Sequence, residues 1–424
     1  MHRDDTARRN RPGPDATTTT PPHRDPLPWL MLSLLPAMTP RLWAPLLDHW
    51  DCPTALLRQT VSTLRALALP ADTVSAILAW QAGRLPATLR EWLDHAHGCV
   101  QQQDVSLVTW QDADYPSLLR HIHDPPPVLY LRGQRQALAG PQLAIVGSRR
   151  ASHDGLDNAR RFARALSQSG YGIVSGLALG ADGAAHKGAL EGPGRTLAVL
   201  AAGVEPVYPP SHRRLAVEIA RSGALISEMP PGTPNEAHRF PRRNRLISGL
   251  CQGVLVVEAS TRSGSLITAR LAMEQGREVF ALPGSIHNPQ ARGCHQLLRE
   301  GARLVESVPQ ILEELGAWQQ PGAGDQMPAS RVTQSDNDGQ EDEAAQSGPV
   351  DERNAEDPAL PGAAAPLSPD EAHLLGVMGY DPQSTDRLCE RSGMSPEQLM
   401  QCLMGLEMAA LIRATPGGYC RRFD

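Results

Sequence analysis

Apolar positions along this chain change period twice, and the changes divide it into parts. Between residues 27 and 100, Leu, Trp and Ala recur at helical spacing through 42–50, 54–69 and 71–82, with Pro and Asp between the runs. That pattern predicts a small helical domain. From 105 to 320, short unbroken apolar runs alternate with amphipathic stretches. The runs at 143–147, 172–176, 196–202, 224–228, 253–259, 278–282 and 303–305 read as strands, and 155–169, 181–190 and 265–275 as helices. Strands without polar alternation are buried on both faces, which predicts a parallel sheet covered by helices.

The end of the chain has a third pattern. A helix is expected over 384–391, stopping near Gly393. Ser395-Pro396-Glu397-Gln398 supplies a capping serine, a proline at the first helical position and glutamine two residues further on. Leu411-Ile412-Arg413 and Pro416-Gly417-Gly418-Tyr419 then read as a strand and a turn, completing the outline of a winged helix. Periodicity is absent from 321–365, a Pro, Gly, Ala, Asp and Glu segment, and from the polar N-terminus. The expected organisation is a disordered N-terminus (1–25), a helical domain (26–104), an α/β domain (105–320), an acidic disordered linker (321–365) and a winged helix (366–424).

Charge alters this picture only once it is mapped. The net charge of the 424 residues is −6. Residues 321–365 hold ten acids and two arginines, a net −8, so the rest of the chain carries +2. An acidic total therefore does not exclude a nucleic-acid partner for the folded parts. Lys187 is the only lysine, and its surroundings do not form a Walker-A loop, which argues against P-loop ATP hydrolysis. Seven scattered cysteines show no CxxC pair and no metal-ligand spacing, as expected of reduced thiols in a cytosol. The N-terminus lacks the apolar core of a signal peptide, and the apolar run 27–38 is too short to span a membrane. A cytoplasmic protein with no membrane association is expected.

Candidate chemistry gathers where the strands end. Ligands of open parallel sheets bind beyond the carboxyl ends of the strands. Gly147-Ser148-Arg149, Ser175-Gly176, Gly203, Glu228, the 260–265 turn and Pro283-Gly284 all fall there. Two segments are shaped for phosphate. Phe240-Pro241-Arg242-Arg243-Asn244-Arg245 carries an arginine cluster into a helix, and Ser263-Gly264-Ser265-Leu266-Ile267-Thr268 is a hydroxyl-rich turn entering another. Helix N-termini offer unpaired N–H groups and a positive dipole end, and arginine adds bidentate charge. Phe240 is placed to stack a base while the arginines hold backbone, the pattern of sequence-tolerant single-strand binding. Ser175 to Asp182 is not GxGxxG, so a dinucleotide cofactor is disfavoured. Asp182 reads as a helix N-cap, His186 as a packing residue, and Glu228 and Glu258 as carboxylates that orient arginines. No nucleophile with its base is marked.

Ile145-Val146-Gly147-Ser148-Arg149, Ser175-Gly176-Leu177-Ala178, Tyr208-Pro209, Ser227-Glu228-Met229-Pro230-Pro231-Gly232, the 240–245 segment, 263–269 and Pro283-Gly284-Ser285, in this order, resemble the DprA/Smf family of bacterial DNA-processing proteins. The resemblance covers roughly residues 107–315. It implies an extended Rossmann-like sheet with an N-terminal helical domain of the SAM or helix-hairpin-helix type and a C-terminal winged helix. It further implies a homodimer that binds single-stranded DNA, protects incoming DNA and loads the RecA recombinase during natural transformation, without catalytic turnover or cofactor. Ser148, Arg149, Gly176, Phe240, Arg242, Arg243, Asn244 and Arg245 would line the DNA pocket, and Ser263, Gly264, Ser265 and Thr268 would form its phosphate rim.

Three departures from the family pattern stand out. Pro210 replaces a lysine that some members carry just after the Tyr-Pro pair, leaving His212, Arg213 and Arg214 as the nearest cations. The hairpin at 35–39 lacks the glycines that let backbone amides reach phosphate. Glu397, Gln398 and Gln401 occupy positions where a groove-reading helix wants bases, so protein contact is expected there. The competing function is a nucleotide-processing enzyme of the nucleoside monophosphate phosphoribohydrolase type. Such enzymes carry a Pro-Gly-Gly-x-Gly-Thr turn followed by a catalytic glutamate, and 263–268 does not have that pattern.

Overall fold

Short strands that are apolar on both faces need a helix layer on each side, and that requirement sets the architecture. The computed structural model describes residues 25–50, 52–102, 105–316 and 367–422. The expectation for 1–25, apart from its last residue, and that for the linker 321–365 lie outside the described residues.

The helical part contains α1 (Leu27–Leu34), α2 (Pro40–His49), α3 (Pro53–Leu57), α4 (Val61–Ala66), α5 (Ala71–Gln81) and α6 (Ala87–Gln101). The single helix expected over 54–69 is two. Thr60 begins the second, its hydroxyl accepting from the Thr63 N–H at 3.3 Å, and a side-chain cap of this kind favours a fresh helix start by about 1 kcal/mol. The helix α6 falls in the stretch 27–100 read as helical, outside the three runs named there.

The α/β part runs β1 (Ser106–Thr109), α7 (Ser117–Arg120), β2 (Val128–Gly133), β3 (Gln142–Val146), α8 (His153–Gln168), β4 (Gly172–Ser175), α9 (Ala181–Leu190), β5 (Thr196–Val199), α10 (Arg213–Ser222) and β6 (Ala224–Ser227). It continues with α11 (Arg239–Gly249), β7 (Gly253–Val256), α12 (Gly264–Glu274), β8 (Glu278–Ala281), α13 (Arg292–Arg299), β9 (Arg303–Leu304) and α14 (Val308–Gly316). The nine strands form one sheet in the order β1-β2-β6-β5-β4-β3-β7-β8-β9. The seven from β6 to β9 are parallel, while β2 joins β6 and β1 joins β2 antiparallel.

The antiparallel edge escaped the sequence reading because β2 is buried like an inner strand. Leu129 and Leu131 join the main core, whereas Tyr130 packs among the N-terminal helices, its hydroxyl 2.8 Å from that of Ser33. Elsewhere the period of two is plain. Leu143 and Ile145 of β3 face α8 and α9, and Ala144 and Val146 face the side of α11 and α12.

The C-terminal part is α15 (Pro369–Val377), α16 (Thr385–Ser392), α17 (Pro396–Met408) and the antiparallel hairpin β10 (Ile412–Thr415) with β11 (Gly418–Arg421), a winged helix. The expected start of α17 holds, with Ser395 and Gln398 forming a reciprocal capping box. This part meets the α/β part where Asp154, in the first turn of α8, pairs with Arg391 and Arg387 of α16. Among the described residues no helix is long and apolar enough to cross a membrane.

Candidate nucleic-acid interface

Strand order locates the site before any side chain does. From β3 the chain moves outward through β4, β5 and β6, then returns to place β7 on the other side of β3. Such a reversal opens a crevice between the loops leaving the two neighbouring strands. Here those loops are 147–152 and 257–263, the first carrying Ser148 and Arg149, the second leading to Ser263.

The crevice loops are tied together from below. Glu258, at the end of β7, is buried and accepts from the Ser152 N–H at 2.8 Å, the Ser152 hydroxyl at 2.6 Å and the Asn288 amide at 3.2 Å. Ser152 in turn caps α8. Among the described residues Glu258 forms no ion pair, so it orients hydroxyl and amide groups and not the arginines expected of it. Ser148 is buried, its N–H donating to the Glu258 carbonyl at 2.7 Å and its hydroxyl accepting from the Arg150 N–H at 3.1 Å.

A second loop, 176–180, closes against the first. Gly180 has φ +78° and sits so close to the Ser148 and Arg149 carbonyls that a Cβ would come within 2.2 Å of one. Gly176 is equally crowded, with a Cβ position 2.1 Å from the Arg243 guanidinium. Leu177 between them adopts φ +58° while fully buried, backbone strain of the kind that persists where surrounding structure over-determines it. Asp182 does not cap α9, whose N-cap is Gly180. Its carboxylate folds back to accept from the Gly176 and Ala178 N–H groups at 3.0 and 3.4 Å.

Arg243 and Arg245, expected to line the pocket, lie beneath it. Arg243 is 6% exposed and donates through Nη1 to the carbonyls of Gly176 and Val199 at 2.9 and 2.5 Å. Burial lowers its pKa to about 10, opposed by the nearby Asp182; burial likewise raises Asp182, opposed by Arg243. His186 is buried in the same neighbourhood, 2.7 Å from the Thr196 hydroxyl, and burial brings it down to about 3. Arg245 pairs with Glu228 and with Asp124 at 3.2 Å. Asn244 is also buried, its amide 3.4 Å from the Gly264 carbonyl, joining α11 to the start of α12.

The surface above these groups is cationic and aromatic. Arg149, Arg150 and Arg242 are exposed. The Arg149 guanidinium lies 5.7 Å from the centre of the half-buried Phe240 ring. Tyr208, 51% exposed, adds a second ring 6.0 Å from Phe240 at 59°. Arg242 reaches Glu228 at 3.4 Å while remaining largely in solvent. At the α12 end, Ser263 caps the helix, its hydroxyl accepting from the Ser265 N–H at 3.3 Å; Gly264 is exposed, whereas Ser265 and Thr268 are buried. Of the cations near Pro210, His212 turns inward to the Leu177 carbonyl at 2.9 Å and leaves Arg213 and Arg214 exposed. Tyr208 and Arg150 were not singled out as site residues from sequence. The signal for Tyr208 was an aromatic beside proline at a loop tip. The arrangement can hold a phosphate chain by charge and bases by stacking.

Comparison with known proteins gives the chain's relatives. The family described as DNA recombination-mediator protein A matches residues 106–316, and the DprA winged helix domain matches 358–418. Protein Smf of Escherichia coli K12 is 38% identical over 386 residues, 89% of each chain. DNA processing protein DprA of Streptococcus pneumoniae is 42% identical over 234 residues, 54% of this chain and 83% of that one. The X-ray structure of the Streptococcus pneumoniae DprA superposes with a TM-score of 0.57 at 35% identity, covering 67% of this chain and 95% of that chain.

Proposed function

The chain belongs to the DprA/Smf family of DNA recombination-mediator proteins, and from that premise we propose that it binds single-stranded DNA across the rim of the β3–β7 crevice. The observation that carries the reading is the exposed Arg149, Tyr208 and Arg242 around the half-buried Phe240 ring, two cations interleaved with two rings. Arginine neutralises phosphate without reading sequence, and the rings accept any base. Ser263 and Gly264 extend the rim at the N-terminus of α12, where free N–H groups favour phosphate. Ser148, Gly176, Arg243, Asn244, Arg245, Ser265 and Thr268 support the rim from within.

The role that follows is to hold and protect incoming single strands in the cytoplasm during natural transformation, as a homodimer, and to pass them to the RecA recombinase. Catalysis is not part of the proposal. The two carboxylates at strand ends are committed, Glu228 to Arg242 and Arg245, Glu258 to Ser152 and Asn288.

The test is fluorescence anisotropy with a labelled single-stranded oligonucleotide and its duplex. Wild type is expected to prefer the single strand, with log K falling against log salt by about 0.7 per phosphate neutralised. Arg149→Ala with Arg242→Ala should weaken binding at least about tenfold and flatten that slope by about 1.4. Equal affinity for duplex, or an unchanged slope in the variant, would overturn the reading.

A further inference from the structure

The outer face of α17 has a different chemistry from the crevice. Leu399, Cys402, Leu403 and Leu406 are buried in the small C-terminal core. On the opposite side of the helix, Met400, Met404 and Met408 follow one another at intervals of four, 50%, 64% and 84% exposed. At 3.6 residues per turn this spacing makes one continuous stripe. The α/β part does not cover it, because contact with that part runs through Arg387 and Arg391 of α16.

The charges that α17 itself carries are of one sign. The helix α17 carries Glu397 and Glu407, both exposed, and no basic residue. Glu371 of α15 lies over Gly405, its carboxylate 2.0 Å from the point a Cβ would occupy there. A phosphate backbone would be repelled from this helix, although in many winged folds the equivalent helix enters a DNA groove.

Remaining candidates for the face can be compared. Residues 321–365 carry a net −8 and would be repelled, and residues 1–24 offer Met1 as their only large apolar side chain. A second copy would set acid against acid along two identical helices. What fits is an apolar ridge flanked by cations. Unbranched methionine side chains adapt to such a ridge, and amphipathic helices dock by apolar anchors at the same spacing.

We propose that the Met400–Met404–Met408 face of α17 is a docking surface for a basic amphipathic helix of a protein partner. The methionines take its apolar side, and Glu397 and Glu407 take its lysines or arginines.

The experiment uses the full chain and two labelled probes, Leu/Lys and Leu/Glu amphipathic helices of roughly 18 residues each. Wild type is expected to bind the Leu/Lys helix at least about tenfold more tightly than the Leu/Glu helix, and Met400→Gln, Met404→Gln, Met408→Gln together should reduce Leu/Lys binding by a similar factor. These side chains face solvent, so folding, checked by circular dichroism, should be unchanged. Glu397→Lys with Glu407→Lys should reverse the preference between probes. If the methionine variant binds the Leu/Lys helix like wild type, attraction belongs to the acidic 321–365 segment and the proposal fails. It fails equally if wild type binds neither probe, if duplex DNA competes through the same methionines, or if the substitutions abolish a dimer seen by sedimentation.

Discussion

Four arginines within seven residues of α11 divide into two populations that do opposite work. Arg242 is exposed and Arg239 half-buried, whereas Arg243 and Arg245 are buried. The inner pair is held by the protein, by carbonyls of Gly176 and Val199 for one and carboxylates of Glu228 and Asp124 for the other, although Arg243 Nε and Arg245 Nη1 find no hydrogen-bond partner among the described residues. Arg242 is bound only at long range, 3.4 Å from a carboxylate it shares with Arg245. Identical chemistry thus gives a scaffold on one side of a helix and a docking charge on the other. Burial decides which, because a desolvated cation must be paired at once, while an exposed one can wait for a phosphate.

The comparison is broken most sharply from the inner side. Arg243→Ala would leave two buried carbonyls unpaired and remove the cation beside Asp182. A loss of about 2–6 kcal/mol in stability is expected, about 1–3 for each buried carbonyl left without its donor. It would be read as a lower urea midpoint at constant slope. Arg149→Ala, on the rim, should change stability by no more than about 0.5 kcal/mol and move that midpoint correspondingly little. If both variants denature like wild type, Arg243 is not a scaffold residue and the division within α11 is lost.

That division was partly written in the sequence. Arg243 precedes Leu246, Ile247 and Leu250 by three, four and seven residues, which puts it on the core face of its own helix. The neighbouring arginines at 239, 242 and 245 mask that register. The parallel strands were readable because each is a short apolar run bounded by glycine or polar residues, and the winged helix because its caps are local. Glu258 was not readable. Its partners Ser152 and Asn288 lie 106 and 30 residues away, so no local pattern joins them. The same holds for Tyr208 and Phe240, which meet only because the loop carrying Tyr208 folds onto the first turn of α11.

The aromatic pair sharpens the outer side. Tyr208 is half exposed and its ring lies tilted against that of Phe240, so Tyr208→Ala should leave stability nearly unchanged. Affinity for single-stranded DNA should fall by about 1–3 kcal/mol for each ring removed, the usual value of one stacked base. A double-mutant cycle separates two geometries. Independent losses mean that each ring holds its own base. A double variant no weaker than the worse single variant means that both rings grip one base. Binding by the double variant at wild-type strength would remove the rings from the interface altogether.

The smallest effect expected is also the most discriminating, because two arginines share one carboxylate. Glu228 is 8% exposed at its side chain and pairs with Arg245, itself 10% exposed, and with Arg242, 55% exposed. Removing Arg242 leaves Glu228 still neutralised. Arg242→Ala should therefore cost only about 0.2–1 kcal/mol of stability, as exposed pairs do, a shift in Tm of about 1–4 °C. Arg245→Ala strands Asp124 and leaves buried Glu228 only its 3.4 Å contact with the exposed Arg242, and its Tm should fall several times further. Differential scanning calorimetry of the two variants decides the matter. Equal shifts would mean that Arg242 is as structural as its neighbour, and the DNA-affinity loss in Arg242→Ala would then have to be credited to a disturbed fold and not to a missing phosphate contact.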